Sequence, residues 1–368
     1  MSAAASSLTR GEPTARERIR GCLLGGAIGD ALGAGIEFAS LQLIRATYGQ
    51  HGVTDFAPAY GRANAITDDT QLTLFTVDAL LEHDDAGRDL PARLWRSYLA
   101  WASYQHGRPP RPSVASSPLT NHPAMTAVRA PGNSCLSGLA QASMGTLTNP
   151  ANPASKGCGA VMRSAPFGLA AATAEQAWQQ AIAGAVLTHG HPSGYLSAAA
   201  LAWIVWQLLH GAPLPTAVES VLERLRADGA PAGECVTALS QAVALAGADT
   251  ATPESVQRLG GGWVGEEALA IGVYAALTRP DDPDAALLLS VNHSGDSDST
   301  GSICGNLLGT AHGEQALPAR WTSTVEAADL VLGQAERLAA RYLDGAQRSP
   351  NDATGMTRRF PVFRSGIR

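Results

Sequence analysis

Lysine is nearly absent from this 368-residue chain: Lys156 is the only one, and arginine carries the rest of the basic charge. Acidic residues outnumber basic ones, 32 to 26, giving a net charge of −6. That balance leaves no basic footprint for nucleic acid or an anionic membrane surface. Cysteine is scarce as well. Cys22, Cys135, Cys158, Cys235 and Cys304 are odd in number, widely spaced and in no Cys-x-x-Cys pair. This argues against a disulfide framework and a zinc site, and it fits a reducing cytoplasm. Long apolar runs are missing too. The longest, LSAAALAWIVWQLL at 196–209, is too short to span a bilayer comfortably and reads as a buried helix. The opening MSAAASSLTRGEPTARER lacks the apolar stretch of a secretory signal. Convincing strand-like alternation is also absent, which excludes a sheet-based fold.

What remains is helical periodicity. Apolar residues recur at three- and four-residue steps over 15–34, 69–83, 90–104, 175–189, 194–210, 214–227, 233–247, 264–278, 284–291, 300–312 and 323–343. No composition break divides the chain, so the expectation is one all-α domain over 15–346, after a disordered lead (1–14) and before a loosely attached tail (347–368). The connection HGRPPRPSVASSPLTNHPAM at 106–125 is too long for a plain turn and reads as a functional or mobile loop. Two glycine ladders stand out. Gly21, Gly25, Gly29 and Gly33 recur every four residues, as do Gly301, Gly305 and Gly309. Each helical glycine costs about 1 kcal/mol against alanine. Two such stripes therefore predict helices packed unusually close, to each other or to a common neighbour.

Charge is used sparingly, at 16% of residues, yet two segments set aspartates close together among hydroxyl residues. The first is ITDDTQLTLFTVDALL, where Thr67 can cap a helix and Asp68 and Asp69 suit its positive end. The second is GDSDSTG, where Asp296, Asp298 and Ser299 place hard oxygen donors on a turn that feeds a helix. Alone, each reads as a capped helix start. Brought together they make four carboxylates that repel unless cations sit between them, and oxygen donors suit Mg²⁺, Mn²⁺ or Ca²⁺ rather than zinc. An EF-hand is excluded because Leu307 stands where its glutamate belongs. Asp30 and Glu37, seven apart, add two acids on roughly one helix face. In SKGCGAVMRSAPFGL, exposed backbone N–H groups could cradle a phosphate with Lys156 as a point charge. His189 and His191 read as hydrogen-bonding loop histidines rather than metal ligands. The run RLGGGWVGEEALA carries Trp263 on a flexible loop, as a substrate-facing lid or a linker.

Taken in order, GCLLGGAIGDALGAGIEF, TDDTQ, RAPGNSCLSGL, SKGCGAVMRSAPFGL, LTHGHP, GGGWVGEEALA and GDSDSTGSICGNLLG resemble the ADP-ribosylglycohydrolase family over residues 18–315. The resemblance implies a compact, orthogonal all-α bundle with a central cleft holding two Mg²⁺ or Mn²⁺ ions. Thr67, Asp68, Asp69, Asp296, Asp298 and Ser299 would be the metal ligands, with serine replacing the more usual threonine at the last position. Glu37, Asp69 and Asp298 would serve catalysis. Asp30, Ser155, Gly157, Cys158, Gly159, His189 and Trp263 would contact substrate, with Cys158 standing where many relatives carry asparagine. The implied reaction breaks the glycosidic bond of ADP-ribose to an acceptor through an oxocarbenium-like transition state. The substrate would be an ADP-ribosylated protein or small molecule and the product ADP-ribose, handled by a cytoplasmic monomer, with nucleic acid entering only as a modified acceptor. Two other readings stay open: a non-catalytic member that binds ADP-ribose or has a structural role, and a metal-dependent nucleotide-sugar pyrophosphatase. Acceptor contacts are expected from 106–125 and 260–267, where Trp263, Glu266 and Glu267 are candidates.

Overall fold

The computed structural model describes residues 11–82, 89–105, 117–248 and 251–344. Among these residues helices are joined by loops and no strand occurs; backbone pairing outside helices is limited to isolated bridges such as Gly157 with Val264. The longer helices are α1 (Ala15–Gly33), α2 (Leu41–Tyr48), α3 (Asp68–Leu81), α4 (Leu90–Gln105), α5 (Ala174–Ala185), α6 (Pro192–Leu209), α7 (Leu214–Ala227), α8 (Gly233–Ala246), α9 (Gly265–Thr278), α10 (Pro283–Val291), α11 (Ser297–His312) and α12 (Ala328–Ala339). Apolar side chains from α1 through α12 join one contiguous core. The apolar run noted above forms α6, buried along most of its length. No helix of the described residues is long and apolar enough to cross a membrane. All five cysteines are free thiols.

The glycine ladders meet each other. A Cβ built on Gly21, Gly25 or Gly29 would lie 2.2, 2.3 or 1.9 Å from the carbonyl oxygen of Gly309, Gly305 or Gly301, respectively. The pairing runs in opposite directions along the two sequences, so α1 and α11 are antiparallel and touch backbone to backbone. No side chain larger than hydrogen fits between them. The fourth rung is Gly33, whose Cβ would fall 2.3 Å from the amide nitrogen of Asp298. The zipper therefore ends at the acidic N-terminus of α11, with Glu37 only four residues beyond Gly33.

Details differ from the periodicity in three places. Helix α2 went unread, being short and largely exposed, although Ser40 caps it through the Leu43 N–H at 3.2 Å. The helix expected over 323–343 is broken: Ala327 takes a left-handed φ of 60°, and α12 begins only at Ala328. Of the expected disordered lead, residues 1–10 lie outside the described residues. Residues 11–14 are ordered, and Thr14 closes a reciprocal capping box with Glu17 at the start of α1. The expected tail, 347–368, and residues 106–116 of the long connection also lie outside the described residues.

Candidate functional site

Two helix starts and one helix end converge. Thr67 caps α3, and its hydroxyl accepts from the Asp69 N–H at 3.2 Å. Asp296 caps α11, and its carboxylate and that of Asp298 both accept from the Ser299 N–H, at 3.4 and 3.0 Å. Each acidic knot thus does what its sequence signals as a helix start. Capping does not use up the carboxylates, however. Glu37, Asp296 and Asp298 each turn an oxygen toward one point, all within 4.8 Å of one another. The Thr67 hydroxyl donates to the Asp69 carboxylate at 3.5 Å, and Thr67 also lowers the proton affinity of Asp298, linking the α3 knot to the α11 knot. Asp68 faces the other way in part, accepting from the Gly132 N–H at 3.1 Å. Asp69 is buried, and its Oδ1 has no protein partner at all. The tight three-carboxylate group does not include Asp68 and Asp69; they reach it electrostatically, through Asp298.

Electrostatics follow from that crowding. Asp68, Asp69, Asp296 and Asp298 are all buried, and burial raises the proton affinity of each well above or beyond the ordinary carboxylate value. Burial likewise pushes Glu37 up to about 10, with repulsion from Asp298 and Asp296 adding to it. Among the described residues no lysine or arginine enters the cluster to neutralise it. Buried, unpaired anions are strongly disfavoured, whereas a divalent cation would satisfy both the charge and the orphaned Asp69 oxygen. An oxygen-dominated donor set fits Mg²⁺ or Mn²⁺. Two soft groups lie nearby: the Cys158 thiol donates to Asp296 at 2.8 Å, and the Met162 sulfur accepts from the Ser299 hydroxyl at 3.7 Å.

Asp30 plays another part than the substrate contact expected of it. It is fully buried, and its carboxylate accepts from the N–H groups of Thr67 (3.0 Å) and Thr70 (3.1 Å) and from the Thr70 hydroxyl. Asp30 thereby fastens the start of α3 to α1. Burial, then repulsion from Asp298, raises it to about 7.

The glycine-containing turn lies alongside. The Cys158 N–H donates to the Trp263 carbonyl and the Gly265 N–H to the Lys156 carbonyl, so residues 156–158 are laced to 263–265. His189 is buried beneath this turn, close to both Gly157 and Gly159. Burial and the nearby Arg163 hold it down at about 3, hence neutral, and its Nδ1 bonds the Thr188 hydroxyl at 2.8 Å. His191 caps α6 instead, accepting from the Ser193 N–H, so the two histidines do not share a ligand. The Ser155 hydroxyl bonds that of Ser134 at 2.6 Å.

Three expectations about charge in these loops change. Lys156 is not free to meet a phosphate: it pairs with buried Glu266 at 2.5 Å and with Glu234 at 2.9 Å. Glu266 is therefore engaged behind the turn rather than facing an acceptor. Glu267 folds back to accept from the N–H groups of Gly261 and Gly262, at 3.0 and 3.2 Å. Only Trp263 of that trio is exposed.

Some neighbours of the site are not among the residues that the sequence singles out. Burial, then the charges of Glu37 and Asp298, raise Tyr60 above the ordinary phenol value, and the Arg129 guanidinium lies over its ring at 4.8 Å. The Arg129 carbonyl accepts from the Asp68 N–H at 3.1 Å. Phe38, next to Glu37, is exposed and stacks on Trp263. Phe38 and Arg129 lie within the GCLLGGAIGDALGAGIEF and RAPGNSCLSGL segments, but no spacing in them singles either residue out, and Tyr60 lies in none of the quoted segments.

The comparisons with known proteins agree with one another. A model of a family described as ADP-ribosylglycohydrolase matches residues 11–349. The ADP-ribosyl-(dinitrogen reductase) glycohydrolase of Rhodospirillum rubrum is 26% identical over 326 residues, covering 85% of this chain and 92% of that protein. An uncharacterized protein of Archaeoglobus fulgidus is 29% identical over 311 residues, covering 83% and 90%. A solved structure titled ADP-ribosylglycohydrolase-related protein complex is similar with a TM-score of 0.64 at 25% identity, covering 88% of this chain and 97% of its own.

Proposed function

The chain belongs to the ADP-ribosylglycohydrolase family, and on that premise we propose that it is a metal-dependent ADP-ribosylhydrolase, which cuts the bond between the distal ribose of ADP-ribose and an acceptor side chain of arginine or serine type. The observation that carries this reading is the convergence of Glu37, Asp296 and Asp298 on one point, with buried Asp68 and Asp69 close enough to Asp298 to be repelled by it and no protein cation among them in the described residues. Thr67, Asp68, Asp69, Asp296, Asp298 and Ser299 would hold up to two Mg²⁺ or Mn²⁺ ions. Such ions supply charge stabilisation and acidify a water.

The remaining tasks fall to the chain's own groups. Glu37 is half-buried, open to solvent on one side and to the carboxylates on the other, and so is placed to exchange a proton between them. Asp69 and Asp298 are the other proton-transfer candidates. Ser155, Gly157, Cys158 and Gly159, lying on His189, would receive the diphosphate. A neutral His189 offers a hydrogen bond without adding charge. Trp263 would border the acceptor. Asp30 would position the Thr67 to Asp69 turn without touching substrate. The setting would be cytoplasmic, with the protein acting as a monomer on an ADP-ribosylated protein or small molecule.

The test is hydrolysis of arginine-linked and serine-linked ADP-ribosylated peptides, with and without Mg²⁺ or Mn²⁺, beside an Asp298→Ala variant. Metal-dependent release of intact ADP-ribose, lost in the variant, is the expected result. Release of AMP instead would mean cleavage of the diphosphate and would sink the glycosidic reading.

A further inference from the structure

Beyond Glu37 the chain turns sharply. Phe38 takes a left-handed φ of 67°, a conformation that costs a bulky residue on the order of 1 kcal/mol or more. The strain does not bury the ring; Phe38 is 69% exposed and lies on Trp263, itself 42% exposed, with centroids 5.2 Å apart and planes 20° from parallel. One ring comes from the turn after α1 and the other from the 260–264 loop. Both turns pack on the segment that delivers Asp296: the Phe38 N–H donates to the Gly295 carbonyl at 3.3 Å, and the Asp296 N–H donates to the Gly261 carbonyl at 2.8 Å. The stack therefore stands beside the carboxylates, facing solvent.

A cavity of about 460 Å³ opens next to it, walled by the start of α2, by Glu254 and Gln257, and by Ser294. That volume falls within the range of roughly 300–1,000 Å³ typical of ligand pockets. Ser40 is three residues past Glu37, and Ser294 is two before Asp296, so the cavity is lined by the ends of the turns that carry these two carboxylates. The Ser294 hydroxyl accepts from the Leu41 N–H at 2.8 Å and donates to Gln257 at 2.5 Å. On the far wall Arg45 pairs with Glu254 at 2.6 Å, while its Nε is a shielded donor with no partner.

On the proposed activity, we infer that this cavity and the Phe38–Trp263 stack form the acceptor-side subsite, and that its occupant is the polypeptide segment carrying the ADP-ribosylated side chain. Three features select a peptide. First, the cavity adjoins the segment that delivers Asp296, because Ser294 lines it and the Phe38 N–H donates to the neighbouring Gly295 carbonyl, while the 157–159 turn meets Asp296 itself through Cys158. Second, the lining is electrically balanced: Arg45 and Glu254 cancel, and amide and hydroxyl groups supply donors and acceptors. This suits main-chain amides, and it offers neither the net positive charge that a phosphate backbone needs nor a continuous apolar wall. Third, the exposed stack includes Trp263, a residue type enriched among those that anchor protein partners.

The experiment compares kcat/KM for an ADP-ribosylated peptide of about fifteen residues with that for the same modified amino acid, blocked at both ends, in the wild type and in Gln42→Trp. Gln42 is an exposed residue on the cavity wall, so a bulky ring fills the space without disturbing the core. We expect the peptide to exceed the single amino acid by at least tenfold in the wild type, and Gln42→Trp to remove most of that advantage while the amino-acid substrate sets an unchanged reference. Phe38→Ala should lower the same ratio. Equal kcat/KM for peptide and amino acid in the wild type overturns the subsite, as does a ratio unaffected by Gln42→Trp. Preference for an ADP-ribosylated oligonucleotide over the peptide overturns the choice of occupant. Failure to cleave any of these substrates, with metal present, is a failure of the hydrolase reading itself and is distinguishable from all of these.

Discussion

Replacing Gly25 by alanine should destabilise this protein, although alanine is the better helix former. The added methyl would sit 2.3 Å from the Gly305 carbonyl oxygen and 3.0 Å from its carbon. Ordinary contact begins at about 3.4 Å, so α1 and α11 would have to part by about an ångström. The obstacle is backbone on both sides, and no rotamer can relieve it. Alanine's intrinsic preference returns about 1 kcal/mol. Overpacking of a tight interface costs about 1–3 kcal/mol and sometimes more. Parting the helices also loosens the neighbouring rungs at Gly21 and Gly29. The net expectation is a loss of about 1–3 kcal/mol, read as a lower midpoint in urea unfolding.

The matched control is Gly333→Ala. Gly333 lies inside α12, and a Cβ there would meet nothing within 4 Å. That change should stabilise by about 0.4–1 kcal/mol. A second readout belongs to Gly25→Ala alone: because the zipper ends at Asp298, Mn²⁺ affinity measured by calorimetry should weaken. If Gly25→Ala proves as stable as Gly333→Ala, the idea that the glycine ladders exist for close packing is refuted.

Three further outcomes are expected. Asp298 repels Asp30, Glu37, Asp68, Asp69 and Asp296, so Asp298→Asn should melt no lower than wild type in EDTA at pH 8 while losing hydrolysis; a clear drop in that melting temperature would contradict mutual repulsion. Asp30 at about 7 and Glu37 at about 10 are both raised above their unfolded values of 3.8 and 4.5, so the native state holds protons that the unfolded chain has released, and stability falls as pH rises through those windows. Melting temperatures in EDTA should therefore decline between pH 5 and 9, and saturating Mn²⁺ should flatten the decline; a level or rising profile without metal would count against this. Lys156→Met should cost about 1–3 kcal/mol by stranding the buried carboxylate of Glu266, and adding Glu266→Gln should restore most of it; a single variant as stable as wild type would show that the pair contributes little.

Much of the fold was legible because its signals are periodic. Residues at three- and four-residue steps marked the longer helices, and the ladders announced a close contact whose partner the structure supplies. The acidic knots were legible for a different reason: carboxylates beside capping hydroxyls mark helix starts, and two such starts in a chain poor in charge invite the question of what they share. What escaped was whatever depends on direction rather than position. Asp30 lies on the glycine-striped helix seven residues before Glu37, and the spacing predicts that the two share a face. Only the entry of α3 shows that Asp30 is spent on the N–H groups of Thr67 and Thr70.

Lys156 shows the same limit from the side of charge. A lone lysine next to a glycine turn is a fair candidate for a phosphate, because nothing within the turn competes for it. Its competitors come from 78 and 110 residues further along the chain, Glu234 and Glu266. Glu266 itself looked like a helix-start acid, and it lies in the first turn of α9 as that reading required. Neither residue was misread locally; each was missing a partner that only packing provides. The same holds for Phe38, whose neighbour Glu37 drew all the chemistry while the ring itself was passed over. Its exposure is meaningful only once Trp263 is seen beneath it and the left-handed turn is seen to aim it outward. A strained, exposed aromatic gains nothing for the core, and the acceptor-side subsite proposed above gives its place beside the carboxylates a use.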